Sequence, residues 1–169
     1  MAAWQAFARQ ILEQAHPKII VSSAGLSALP NEPASLPTMN IARDWGIDLG
    51  GHRARRLTDE IARDAALICT MTASQAATVA AHFNLDPACV HLLGAFAPVE
   101  GAAVPDSLAR LLRHVATAHF QNSGVSPDIL DPYGGSVEAY QTCAAQIRHA
   151  VLGLARALRE GHIDEYRIH

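Results

Sequence analysis

Ile129-Leu130-Asp131-Pro132-Tyr133-Gly134-Gly135-Ser136, continuing into Val137-Glu138-Ala139-Tyr140, is the stretch on which the reading of this chain turns. Pro132 has no N–H and a fixed φ, so it ends any regular element at Asp131 and stiffens the turn. The two glycines behind it supply backbone freedom. Ser136 then reads as a helix N-cap, with Glu138 in the first turn, where the helix dipole favours an anion. One carboxylate is thus held on a stiff loop, beside an aromatic ring, at the entrance to a long helix. That arrangement suits a general acid. On spacing alone a plain loop before a helix accounts for the same residues, and takes precedence.

Working outward, strand and helix alternate. Trp4, Phe7, Ala8, Ile11, Leu12 and Ala15 give an amphipathic helix over 1–15 that begins at the first residue. His16-Pro17 breaks it, and Lys18–Ser23 follows as a short strand. After a Pro- and Ser-rich loop, a helix runs from about Pro37 to Trp45, with Gly46 ending it. Gly50–Arg56 is a connection carrying a basic cluster, read as solvated. Thr58, with Asp59 and Glu60, caps a short helix. Ala65–Met71 is a continuous apolar run, as in a strand buried on both faces of a parallel sheet. Ala73–Phe83 reads as a helix, Cys89–Leu93 as a strand, Ser107–Phe120 as a helix, and Ser136–Arg159 as the closing helix. Gly161–His169 reads as a tail. This order predicts an α/β sandwich with a parallel sheet.

The bulk properties exclude several classes. A length of 169 residues fits one domain, and a hydrophobic content of 50% against 17% charged excludes general disorder. The net charge of −3 gives no support for nucleic-acid binding. No apolar run approaches the roughly 20 residues of a membrane span, and no signal peptide is evident. The three cysteines, Cys69, Cys89 and Cys143, are widely spaced and fit a reducing, cytoplasmic setting better than a disulfide framework. The nine histidines show no metal-ligand spacing.

Asp131-Pro-Tyr-Gly-Gly-Ser, with Tyr140 behind it, resembles the acid loop of the low-molecular-weight protein tyrosine phosphatase family. The likeness is strongest to its bacterial branch, which includes protein arginine phosphatases. Val21-Ser22-Ser23-Ala24-Gly25, Trp45-Gly46-Ile47-Asp48-Leu49, His52-Arg53-Ala54-Arg55, Ile68-Cys69-Thr70-Met71 and Val90-His91-Leu92-Leu93-Gly94 resemble other family segments in the same order. Several weak motifs in register are more specific than any one. The resemblance covers residues 1–160 as a single domain. It implies a three-layer α/β sandwich, a helical insertion at about 101–124, and a tail at 161–169.

It also implies a chemistry: hydrolysis of phosphotyrosine or phosphoarginine through a cysteinyl-phosphate, with an Asp protonating the leaving group. By this resemblance Asp131 is the proton donor, Tyr133 part of the substrate-binding wall, and Ser23 and His52 supports of the phosphate loop. The substrate is then a phosphorylated protein or a small phosphomonoester, and no metal or other cofactor is called for.

One part of the pattern is not found. The family's signature is an N-terminal strand leading into a Cys-x5-Arg-Ser loop. Here Met1-Ala2-Ala3 falls just after that loop, so the first, central strand is expected to be missing. Six residues after Cys69 stands Gln75, after Cys89 Ala95, and after Cys143 His149, so none supplies the Arg. The chain is therefore expected to have a truncated active site and to be inactive as given, through a mis-set start or truncation. A non-catalytic binding or regulatory relative is the alternative. An arsenate reductase of the same fold is disfavoured, because Cys69 has no close resolving partner.

Overall fold

The buried positions of the last helix, Val137–Glu160, show how the chain assembles. Tyr140, Cys143, Ala144, Ile147, Ala150, Val151, Leu154, Ala155 and Leu158 are all buried and recur at three- and four-residue steps. That spacing makes one continuous apolar stripe, with Arg148, Arg156 and Arg159 left outside it. In the computed structural model, which describes residues 2–15, 18–97, 126–160 and 167–168, this helix is the spine of the larger core.

The helices, in chain order, are α1 (Ala2–Ala15), α2 (Leu36–Asp44), α3 (Asp59–Asp64), α4 (Ala73–Phe83) and α5 (Val137–Glu160). The strands are β1 (Ile20–Val21), β2 (Ile68–Thr70), β3 (Val90–Leu92) and β4 (Arg167–Ile168). Two cores lie on opposite sides of the strands. Phe7 and Leu12 of α1, Ala42 of α2 and the α5 stripe form the first. Ala62 of α3, Ile68 of β2, and Val79 and Phe83 of α4 form the second. Leu67 and Cys69 join the first core while Ile68 joins the second, which is the alternation of a strand packed on both faces. Helices on both sides of parallel strands give the expected three-layer α/β sandwich.

The helix ends follow local chemistry. At the end of α2, Gly46 has φ of 73°. The Gly46 N–H donates to Arg43 O, and the Ile47 N–H donates to Ala42 O at 2.8 Å. This is the two-bond Schellman closure that a left-handed glycine permits. Thr58 and Thr72 cap α3 and α4, their hydroxyls accepting from the Ile61 and Gln75 N–H groups.

Two parallel ladders are present. β2 pairs with β3, with Cys69 opposite His91. β1 pairs with β4, with Ile20 opposite Arg167 and Val21 opposite Ile168. Among the described residues no hydrogen-bonded pairing joins the ladders. The strands are shorter than the apolar runs that announce them. Of Ala65–Met71 only Ile68–Thr70 has a ladder partner, and of Lys18–Ser23 only Ile20–Val21. The expected insertion at 101–124 lies outside the described residues, as does all of the expected tail except the β4 pair. No helix among the described residues is long and apolar enough to cross a membrane.

Candidate functional site

The loop before α5 is a stack of small turns. Asp131 Oδ1 accepts from the Tyr133 N–H at 3.0 Å. The Gly135 N–H donates to Pro132 O at 2.8 Å, and Gly134 takes φ of 77°, as the third residue of a type II turn requires. Tyr133 sits at the corner, 82% exposed. Ser136 caps α5 by accepting from the Ala139 N–H at 3.3 Å. A hydrogen bond from its own backbone, then one from the Ser136 hydroxyl, hold Glu138 below the usual carboxylate range.

Upstream, the same loop is fastened to the end of β2. The Ile129 N–H donates to Met71 O at 2.8 Å, and the Ile129 side chain is buried. The Ala73 N–H, at the start of α4, donates to Asp128 Oδ1 at 2.9 Å. Gln75 Oε1 accepts from the Met71 N–H at 3.0 Å, so Met71 is held through both its backbone groups. Pro127 passes directly over Gly94, where no side chain would fit.

These elements surround a cavity of about 80 Å³. Asp131 and Tyr133 line it, with Thr38 of α2, Gln75 of α4, and Tyr140 and Cys143 of α5. Ser35 and Thr38 share a hydrogen bond of 2.8 Å between their hydroxyls at its edge. Among the lining residues Asp131 is the only Asp, Glu, Lys, Arg or His. Burial raises the Cys143 thiol, the positive amino terminus opposes that, and the Asp131 carboxylate adds to it. Burial, the largest of these effects, keeps this thiol protonated. Burial pushes the Cys69 thiol up to about 12. Neither environment favours a thiolate.

Ser23 and His52 are not in that cavity lining. Ser23, just beyond β1, is met instead by the loop that carries His52. Arg55 Nε donates to Ser23 O at 2.7 Å, and the Gly25 N–H donates to Arg55 O at 3.0 Å. Arg53 Nη1 donates to His52 O at 2.7 Å and to Gly50 O at 3.0 Å. The basic loop is thus not merely solvated: two of its guanidinium groups tie down backbone. Burial, the positive amino terminus and Arg53 together lower His52, leaving it neutral more readily than a free imidazole. The structure therefore brings together Asp131 with Tyr133 in a loop fastened beside the end of β2, and Ser23, just after β1, with the loop that carries His52.

Sequence reasoning did not single out Asp128, Gln75 or Thr38. Thr72-Ala73-Ser74-Gln75 does carry a capping-box pattern. Its Gln reaches past the N-cap to the Met71 N–H. Asp128 stands in a loop with no local signal.

Comparison with known proteins agrees with this architecture. The family model for low molecular weight phosphotyrosine protein phosphatase matches residues 2–111. A probable low molecular weight protein-tyrosine-phosphatase, EpsP of Ralstonia solanacearum, is 34% identical over 87 residues, covering 52% of this chain and 60% of that protein. The chain spans between 49% and 60% of the lengths of the first curated relatives it matches. A protein-arginine-phosphatase of Bacillus subtilis is 25% identical over 156 residues, covering 92% of this chain and 87% of the relative. Among solved structures, the YwlE arginine phosphatase, in a cysteine-to-serine mutant with a phosphorylated active-site serine, superposes with a TM-score of 0.71. It shares 23% identity, over 94% of this chain and 87% of that one, and so speaks to the fold alone. With the family model covering well over half of the residues and the expected parallel α/β architecture in place, the chain belongs to the low molecular weight phosphotyrosine protein phosphatase family.

Proposed function

We propose that this polypeptide carries the proton-donor side of a protein phosphatase site, and that its 169 residues alone do not complete the reaction. The chemistry is a two-step displacement on a phosphorylated protein or small phosphomonoester. A thiolate attacks phosphorus as Asp131 donates its proton to the departing oxygen or nitrogen. The resulting carboxylate then takes a proton from a water that attacks the cysteinyl-phosphate, breaking the S–P bond to free phosphate and the thiolate. Tyr133 forms the wall against the leaving group. Ser23 and His52 support the phosphate-binding loop from the other side.

The observation that carries this reading is the fastening of the Asp131 loop around a cavity whose only carboxylate is that residue. The state of the cysteines carries the second half. Cys69 is held near 12 and Cys143 is raised, and neither begins a Cys-x5-Arg sequence. General-acid assistance is worth roughly 10²–10⁴-fold, which cannot replace a missing covalent route.

The test has two arms. The 169-residue chain, assayed with an aryl phosphate, is expected to show no turnover above the blank. The same chain fused behind an apolar strand and a Cys-x5-Arg-Ser loop is expected to hydrolyse it, and Asp131→Asn in that fusion to lower kcat by about 10²–10⁴-fold. Turnover by the unfused chain would refute the second half of the reading. A fully active Asp131→Asn fusion would refute the first.

A further inference from the structure

Among the described residues one hydrogen bond fixes the Asp131 carboxylate, that from the Tyr133 N–H in its own turn. Where that turn sits is decided upstream. Asp128 reaches 55 residues back along the chain to accept the Ala73 N–H at 2.9 Å. The first N–H groups of a helix have no partner within the helix, and its positive end attracts a carboxylate. Asp128 therefore supplies both an acceptor and a charge. Its own N–H donates to Ser126 Oγ at 3.2 Å, which closes the loop on itself. The next residue repeats the attachment through backbone, Ile129 N–H to Met71 O.

α4 does not need Asp128 as a cap, since the Thr72 hydroxyl already accepts from the Gln75 N–H at 3.3 Å. The long-range bond gives the loop its place instead. We propose that Asp128 is a positioning residue for Asp131: it latches the acid loop to the start of α4, so that the turn carrying Asp131 opens onto the cavity. This rests on the reading of Asp131 as proton donor, but its test needs no turnover.

The test uses the full chain, isotope-labelled for amide NMR. Because the Tyr133 N–H donates to the Asp131 carboxylate, its shift follows the titration of that group, and Asp131→Asn identifies the signal by abolishing it. Removing the latch with Asp128→Ala is expected to speed amide exchange at Ile129 by about tenfold, the value of one hydrogen bond to a charged group. It is also expected to shrink the pH-dependent shift of Tyr133. Asp128→Asn keeps an acceptor and should restore most of both.

Ala73→Pro deletes the donor while leaving Asp128 untouched. Proline is favoured at a first helical position, and Thr72 already has the extended backbone that must precede it, with φ of −134° and ψ of 156°. It should reproduce the Asp128→Ala pattern with α4 intact, which keeps the question answerable if Asp128→Ala does not fold. Thr58→Ala, which removes a remote helix cap, serves as the control for general destabilisation. Unchanged Ile129 exchange and Tyr133 titration in Asp128→Ala and Ala73→Pro would overturn the proposal, and so would an equal response in Thr58→Ala. Failure of the phosphatase reading would show instead as full activity of the Asp131→Asn fusion, with the NMR pattern preserved.

Discussion

Gly94→Ala is the sharpest test of how the acid loop is seated. A Cβ at this position would lie well inside contact distance of Pro127 O, 3.0 Å from the Pro127 carbonyl carbon and 3.4 Å from Ile129 Cγ1. Two of those three atoms are backbone, so no rotamer change relieves the clash. The segment 127–129 must move. Overpacking of this kind costs about 1–3 kcal/mol. Movement also strains the Ile129–Met71 and Ala73–Asp128 bonds, each worth about 1 kcal/mol or somewhat more. Against this, losing a glycine makes the unfolded chain stiffer and returns about 0.4–1 kcal/mol. A net loss of about 2 kcal/mol follows, equivalent to a fall in Tm of roughly 4–8 °C for a domain of this size. Urea unfolding followed by circular dichroism should show a lower midpoint with an unchanged m value. Gly51→Ala is the matched control, because a Cβ there meets nothing within 4 Å. It should stay within about 0.5 kcal/mol of the parent. A Gly94→Ala variant as stable as the parent would refute the argument that this glycine exists to let the loop pass.

Other outcomes follow from single residues. Leu154→Ala, at a 1% exposed position in the α5 stripe, should cost about 2–5 kcal/mol by urea unfolding, and a loss below 1 kcal/mol would contradict its place in the core. His52 is lowered from 6.5 by burial first, so between its folded value and 6.5 the unfolded chain holds more protons. Its contribution to stability is complete above 6.5 and is lost as pH falls towards the folded value. Comparing His52→Gln with the parent across that window should show a flatter profile in the variant, and parallel profiles would be the contrary result. Cys69, raised from 9.0 to about 12, should resist iodoacetamide in the folded chain and react on unfolding in urea. Alkylation of the native chain at the unfolded rate would contradict the raised thiol.

Local patterns announced the helices well, because their causes are local. The α5 stripe and the Ser136 cap can be read directly from residue spacing, as can Gly46 behind α2 and Thr72 before α4. The turn at Asp131 is equally legible, since Pro132 and two glycines leave few conformations. Strand extents are another matter. An apolar run states that a segment is buried, whereas a ladder needs a neighbour, and Ala65–Met71 has one only at its centre. The pairing of Arg167–Ile168 with β1 has no periodic signal at all in so short a stretch. The latches are the least visible. Asp128 meets Ala73 across 55 residues and Arg55 meets Ser23 across 32, and nothing near either residue names its partner.

The charge around the cavity bears on whether this chain could instead act by binding phosphate without chemistry. A phosphate dianion next to Asp131 needs compensating cations, and the lining residues supply hydroxyls, an amide and no Lys, Arg or His. Of the basic cluster, Arg53 and Arg55 already donate to backbone carbonyls beyond β1. A ligand at 100 times its Kd would stabilise the fold by about 2.7 kcal/mol, raising Tm by roughly 5–10 °C. Millimolar inorganic phosphate or an aryl phosphate should therefore leave Tm unchanged, together with the amide shifts of Tyr133, Gln75 and Thr38. A saturable rise in Tm with shifts at those three residues would make the polypeptide a phosphate-binding relative in its own right. The same addition to the fusion carrying a Cys-x5-Arg-Ser loop should stabilise it, because the phosphate charge then meets an arginine and a ring of backbone N–H groups.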